Sequence, residues 1–512
     1  MRDNNSHIDK IFGRANEAPR LLLVINAVMA LLYLYALVFW FSKGELYLYW
    51  ILIVGQVFHT WQVLSFIYTI WDTGYTASGN RTHTPPADVF ITVCGEPAEI
   101  VEETIRAALA MNYPYFTVYV LNDGFVAGKE NWRQIEALAK SLGVVCITRR
   151  KPGGAKAGNI NHALNHTSNP FVVLFDADHI PQTNFLREVM YYFSDEKVGF
   201  VQTPQYYRNH KLNYVTAGAW EQQHLFYGPI LKGKNRMNAV SMCGTNMAIR
   251  REALLEVGGM CDTNIAEDFV TGLFIHEHGW KSVYVPKLLT RGLAPFDFLS
   301  YYKQQYRWAR GSLEILFKFN PFFKRTLTWA QKIQYLASAS YYLSGLIVFI
   351  YAIVPLVFLF TGLVPFTTST MGLALVFLPY IFLTLYSLQT VSNYTYTFRA
   401  LAFSIGAFPI HLKALGAVLL GLRSSFEVTS KRALQGNFIH LVTPHLVYII
   451  LVIIGIVVAL FREGMTPSFS TNLAWSLFNI ATFLPFIRAV VPHLALRTRP
   501  LAEDETVPEI VK

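Results

Sequence analysis

The chain has 512 residues, 53% hydrophobic and only 15% charged, where soluble proteins carry about 25% charged residues. With a mean hydropathy of +0.31, this argues against a soluble enzyme, a disordered scaffold and a small secreted module. The 43 Lys and Arg against 33 Asp and Glu leave a net charge of +10. In so apolar a chain that points to membrane lipids or an anionic small substrate, and no nucleic-acid partner is expected. Cys94, Cys146, Cys243 and Cys261 form no C-x-x-C pair, so no disulfide or zinc framework is expected.

Crossing a bilayer takes roughly 20 apolar residues. Two such runs, 21–41 and 47–71, open the chain. The first is too long for a cleavable signal and has no small-residue cleavage site after it. Four more follow at 334–360, 371–391, 441–461 and 471–490. Arg2, Lys10, Arg14 and Arg20 precede the first run, and Arg399, Lys413, Arg423, Lys431 and Arg432 lie between the fourth and fifth. The opposite loops hold little beyond Lys43 and Arg462. The positive-inside rule then puts the N-terminus, the middle domain and the 392–440 segment in the cytoplasm. The expected divisions are an N-terminal membrane region (1–71), a cytoplasmic domain (72–309) and interfacial helices (310–333). Two spans (334–391), a cytoplasmic interfacial segment and loop (392–440), two spans (441–490) and a cytoplasmic tail (491–512) complete the chain. Residues 405–422 are apolar enough for a seventh span, but Pro409, His411 and Lys413 interrupt them. They are read as a helix lying on the inner membrane surface.

Within the middle domain, short apolar runs alternate with helical patterns. Strands are expected at 89–94, 116–122, 144–149 and 171–175, with helices at 99–111 and 131–142 between them. That alternation predicts an open α/β sheet of parallel strands, which binds ligands beyond the carboxyl ends of its strands.

The candidate chemistry lies at those ends. Phe171-Val-Val-Leu-Phe-Asp-Ala-Asp178 runs a buried strand into Asp176 and Asp178. Two carboxylates so spaced suit a hard cation, Mg²⁺ or Mn²⁺, shared with substrate phosphates; the structural alternative is a solvated turn or helix cap. His179 beside them is read as a supporting or packing residue rather than a ligand. Glu96-Pro97 follows the first strand and Asn122-Asp123-Gly124 the second. An Asp there can accept a hydrogen bond from a base edge, although each motif is also a common turn signal. Lys156 and the backbone N–H groups that open a helix after Gly153-Gly154 suit a phosphate. Glu267-Asp268 begins a helix expected over 269–279, where Asp268 either caps the helix or takes a proton from an attacking hydroxyl. Gln304-Gln-Tyr-Arg307-Trp308 offers a guanidinium fork for a diphosphate and a flat aromatic face for a sugar. Tyr341, Tyr342, Phe349 and Tyr351 could stack on sugars or simply pack against lipid.

Taken in order, these motifs resemble the processive family 2 glycosyltransferases, most closely the bacterial cellulose synthase catalytic subunits. The family's D-D-G, D-x-D, T-E-D and Q-x-x-R-W elements correspond to Asn122-Asp123-Gly124, Asp176-x-Asp178, Ala266-Glu267-Asp268 and Gln304-x-x-Arg307-Trp308. Lys156-Ala-Gly-Asn159, Gln202-Thr-Pro204 and Cys243-Gly-Thr245 also match. Phe426-Glu-Val428-Thr429-Ser-Lys431 looks like the family's F-x-V-T-x-K gating loop, which closes over bound nucleotide. The resemblance implies a glycosyltransferase A-type domain feeding a channel of membrane helices, in the inner membrane with the domain facing the cytoplasm. It assigns Glu96, Asp123, Lys156, Gln304 and Arg307 to a UDP-sugar donor, and Asp176 and Asp178 to the UDP–metal complex. Asp268, with Glu267 beside it, becomes the general base; Trp308, Cys243 and Gly244 line the acceptor pocket. The implied product is a β-linked polysaccharide such as cellulose, made with inversion from a UDP-hexose and exported, with an accessory subunit possible. The alternative acceptor is a membrane lipid receiving one or two sugars; a transporter or scaffold with a degenerate domain is the reading without catalysis. Asn122 and Ala266 depart from the family pattern. Only two spans precede the domain and no PilZ-type module is read after the last span, so cyclic-di-GMP control through this chain is not expected.

Overall fold

A computed structural model of the chain describes residues 17–422 and 436–491. Phe426, Val428, Thr429 and Lys431 lie outside the described residues. Two long helices come first, α1 (Arg20–Tyr35) and α2 (Leu46–Ile70). The α/β domain then runs through β1 (Ala87–Val93), α3 (Ala98–Leu109), β2 (Phe116–Asn122), α4 (Trp132–Ser141) and β3 (Val145–Thr148). It continues with α5 (Ala155–Leu164), β4 (Phe171–Asp176), β5 (Val198–Gln202), α6 (Tyr214–Leu225) and α7 (Leu231–Arg236). It ends with β6 (Met247–Arg250), α8 (Glu267–Glu277), β7 (Lys281–Tyr284) and α9 (Phe298–Lys318).

The seven strands pair in the order β3-β2-β1-β4-β6-β5-β7. The sheet is mixed rather than parallel, as β6 runs antiparallel to both of its neighbours, β4 and β5. The four strands expected from sequence are parallel to one another. Every residue of β1 is buried, as a strand covered by helices on both faces requires. Its side chains alternate between two cores, Phe90 on one face and Val89, Ile91 and Val93 on the other, following the period of two. The chain moves from β1 outward through β2 and β3, then returns to β4 on the other side of β1. The crevice beyond the carboxyl ends of β1 and β4 is therefore the switch point where such sheets hold ligands.

One of the two cores does not stop at the domain. Phe90, Leu174 and Phe200 share it with Trp220, Phe298 and Tyr301, and with Phe403, Ile410 and Phe486 of the C-terminal helices. Those helices are α10 (Trp329–Ser340), α11 (Ser344–Thr361), α12 (Thr370–Val391), α13 (Phe398–Gly406), α14 (Phe408–Leu419), α15 (Thr443–Glu463) and α16 (Pro467–Val490). Seven helical stretches among the described residues are long and apolar enough to cross a membrane, α10 and α11 counting as one with the turn between them, and α13 with α14 as another. The 398–419 stretch is two helices broken at Ala407, immediately before Phe408-Pro409, because proline fits the first turn of a helix and not its interior. α9 runs across the expected boundary at 309/310, carrying both Gln304–Trp308 and residues 310–318. Beyond it, Phe317, Phe322, Phe323 and Trp329 stay exposed.

Candidate active site

Glu96, Asp123, Lys156, Asp176 and Asp178 lie at or after the carboxyl ends of the first four strands, whereas Cys243, Gly244, Glu267, Asp268 and Gln304–Trp308 come from later segments of the domain. Past β1, the Glu96 carboxylate accepts from the Cys94 N–H at 2.5 Å. Past β2, Asp123 is gripped by a residue the sequence reading left inside a strand. Arg149 Nε and Nη2 donate to the two Asp123 carboxylate oxygens at 2.7 and 2.8 Å, and both side chains are buried. The same guanidinium donates to the carbonyls of Gly153 and Ala155. It thereby ties Asp123 to the turn that starts α5. The departure at Asn122 has a local use: its amide oxygen accepts from Gly124 N–H at 3.0 Å and its amide nitrogen donates to the Trp132 carbonyl at 2.8 Å, forming an Asx turn.

At the end of β4, Asp176 meets the Lys156 ammonium, which also donates to the Gly244 carbonyl at 2.8 Å. Burial pushes the Asp176 carboxyl up, but Lys156 and His179 outweigh it and the net shift is downward. Burial works against the Lys156 charge; Asp176 and Glu267 more than restore it. Asp178 is buried and accepts from Leu293 N–H at 3.2 Å. Asp176, Asp178 and His179 bring one ligand atom each to within 4.8 Å of one another. Among the described residues neither ring nitrogen of the buried His179 makes a hydrogen bond, although Nδ1 lies 3.4 Å from Asp178 Oδ1. That donor set fits a divalent cation, with His179 beside the two carboxylates.

Across from them, Glu267 and Asp268 occupy the first turn of α8, where the helix dipole favours carboxylates. Asp268 does not cap the helix; Ala266 occupies that position, and Asp268 Oδ1 accepts from the adjacent Phe269 N–H at 2.7 Å. Burial raises the Asp268 pKa, and Lys156 and Arg307 offset only part of that. Glu267 is pushed up to about 7 by burial and by Asp268. Gly244, at φ +73°, faces Asp268: a Cβ there would lie 2.8 Å from Asp268 Oδ2. Both the backbone and the space at that position demand glycine.

The Cys243–Thr245 loop is held by Gln202, whose side chain accepts from Cys243 N–H at 2.9 Å and donates to the Thr245 carbonyl at 2.9 Å. Thr245 Oγ1 in turn accepts from Asp176 N–H at 2.9 Å. The Cys243 thiol pKa is pushed up, chiefly by burial and then by Asp268. From α9, the Arg307 charge acts on Glu267 and Asp268, and the Gln304 side chain acts on the buried Tyr207 hydroxyl. Trp308 is half-buried one residue further along α9. Sequence reasoning missed Arg149 and Tyr207; the one signal for Arg149 was a cation at the end of the third strand.

Residues 85–311 match the family Glycosyltransferase like family 2, and residues 255–499 match the family Cellulose synthase. This chain is a family 2 glycosyltransferase related to the bacterial cellulose synthase catalytic subunits. It is 30% identical over 441 residues to a cellulose synthase catalytic subunit (UDP-forming) of Pseudomonas fluorescens (strain SBW25), covering 82% of this chain and 58% of that one. It is 28% identical over 423 residues to cellulose synthase 2 of Novacetimonas hansenii, covering 80% of this chain and 26% of that one. The chain thus spans between a quarter and three fifths of the length of these relatives. Among solved structures, the mannosyltransferase PcManGT from Pyrobaculum calidifontis, in complex with GDP-Man and Mn²⁺, superposes with a TM-score of 0.52 at 17% identity. The match covers 73% of this chain and all of that one, and establishes a glycosyltransferase A-like fold flanked by long apolar helices.

Proposed function

We propose that the glycosyltransferase polymerises a UDP-hexose, UDP-glucose by preference, into a β-linked polysaccharide such as cellulose and passes it across the inner membrane. One observation carries the reading. Lys156 stands between Asp176 on one side and the Gly244 carbonyl on the other, with the charges of Glu267 and Asp268 acting on it. Asp176 and the Glu267–Asp268 pair, from distant parts of the chain, therefore meet around one cation at the switch point of the sheet.

In this reading Glu96, Asp123 and Arg149 hold the nucleotide end of the donor. Lys156 and Arg307 neutralise its diphosphate. Asp176, Asp178 and His179 would hold Mg²⁺ or Mn²⁺, which when bound supplies Lewis-acid stabilisation of the leaving diphosphate. The acceptor sugar rests on Trp308 and against Cys243 and Gly244. Its hydroxyl gives its proton to a carboxylate oxygen of Asp268 as the oxygen attacks the anomeric carbon. The new C–O bond forms as the bond from that carbon to the diphosphate oxygen breaks, and UDP leaves. No side chain is needed as a nucleophile, so an α-linked donor yields a β-linkage. The positive-inside rule puts this chemistry on the cytoplasmic side. The contacts of α13 and α14 with α6 and α9 support their lying at the membrane surface.

The test is UDP release by the purified chain with a panel of UDP-sugars, set beside Asp268→Asn. The variant should bind UDP as the parent does and lose about 10²- to 10⁴-fold in turnover, the usual worth of a general base. Turnover that survives the substitution rules out Asp268 as the base.

A further inference from the structure

A second set of buried charges lies one helical turn beyond Arg307 and Trp308. On α9, Arg310 Nε pairs with Glu314 Oε1 at 3.4 Å, and Arg310 Nη2 donates to the Leu422 carbonyl. The other Glu314 oxygen accepts from the Asn264 amide at 3.1 Å and also pairs with the more exposed Lys318 ammonium at 3.2 Å. The Asn264 amide oxygen accepts from Ala266 N–H at 2.7 Å. Ala266 is the residue on which α8 begins, two positions before Asp268. Arg310, Glu314 and Asn264 are each at least 91% buried, so these bonds are made away from competing water. Between them, Gly311 allows the two helices to touch: a Cβ there would lie 2.5 Å from Ala266 Cβ and 2.9 Å from Ala266 N. The contact is thus set by steric closeness and by a directed bond at the same point.

We propose that Glu314 is a positioning residue: oriented by Arg310, it holds Asn264 and so fixes the first turn of α8, with Asp268, against the α9 helix that carries Gln304, Arg307 and Trp308. The inference rests on reading Asp268 as the proton acceptor. A buried ion pair is a poor source of net stability, since desolvating two charges costs about as much as their attraction returns. Placing an acid relative to a donor is a task that such a pair can perform, because a displacement of about 1 Å costs about 10²-fold in rate.

The test uses the full-length chain in detergent with UDP-glucose as donor, measuring kcat, donor KM and UDP affinity. Asn264→Asp keeps an acceptor for Ala266 N–H but sets a carboxylate against Glu314. It should lower kcat about 10²-fold, with donor KM and UDP affinity within about twofold of the parent. Adding Glu314→Gln gives that new carboxylate an amide donor in place of the repulsion, and the double variant should recover most of the loss. Glu314→Ala should lower kcat as Asn264→Asp does; where it fails to fold, the first two variants decide. A double variant no faster than Asn264→Asp, parental kcat in Asn264→Asp, or UDP affinity falling in step with kcat would each overturn the positioning role. A parent chain that binds UDP but turns over no UDP-sugar instead removes the reading of Asp268, and this inference with it.

Discussion

Asp268 can accept a proton only when ionised, and its surroundings make ionisation harder. Burial raises its pKa above the ordinary aspartate range of about 3.9, with Lys156 pulling the other way. The fraction ready to act as base is therefore full at high pH and falls as pH drops through a raised value. The acid limb of the kcat profile should lie above the ordinary carboxylate range. Lys156→Met should move it higher still, since the cation stabilises the charged form. A limb at pH 4 in the parent, or one that moves down in the variant, contradicts this electrostatic picture. Arg149 makes a separate prediction. Its fork satisfies both oxygens of a buried carboxylate, and removing one member of such a pair leaves the other charged and unpaired. Arg149→Met should cost about 3 to 5 kcal/mol in stability and weaken UDP binding, as read by thermal unfolding and titration calorimetry. Unchanged UDP affinity would place Asp123 and Arg149 outside the nucleotide site.

At the scale of elements, the domain is fastened to the C-terminal helices by identifiable contacts. Glu221 on α6 accepts from Arg399 Nε at 2.9 Å and from Thr397 at the start of α13, and Arg399 and Arg488 lie over the Tyr214 ring. Glu221→Ala removes a partly buried charge-assisted pair worth about 2 kcal/mol. It should lower the thermal unfolding midpoint while leaving UDP affinity intact, and an unchanged midpoint would show that the contact contributes nothing. How much of this was legible beforehand depends on the range of each interaction. The first four strands and the polar residues that follow them could be read because a buried parallel strand is a local apolar run and its carboxyl end is a local break. The antiparallel β6 was not, since its direction is set by partners β4 and β5, distant in sequence. Arg149 and Asp123 are 26 residues apart, and no periodicity links a strand-end cation to a carboxylate on the next strand. Lys318, Lys324 and Arg325 among phenylalanines look in the sequence like a new amphipathic segment, whereas α9 continues across 309/310 through Gly311, where Ala266 approaches too closely for a side chain.

For the whole molecule, the shared core is the decisive feature. Because one face of the sheet packs continuously onto Phe403, Ile410 and Phe486, the switch-point crevice and the apolar helices belong to one packed unit rather than to a soluble enzyme on a tether. A sugar chain lengthened at Trp308 would start next to those helices, which is the arrangement an exporting polymerase needs and a soluble transferase does not. The most direct measurement is the size of the labelled product that the purified chain makes from radiolabelled UDP-glucose in lipid vesicles. The account predicts a high-molecular-mass glycan, β-linked and insoluble in organic solvent, formed in step with UDP release. Label that partitions entirely into the lipid extract as one- or two-sugar products would contradict it.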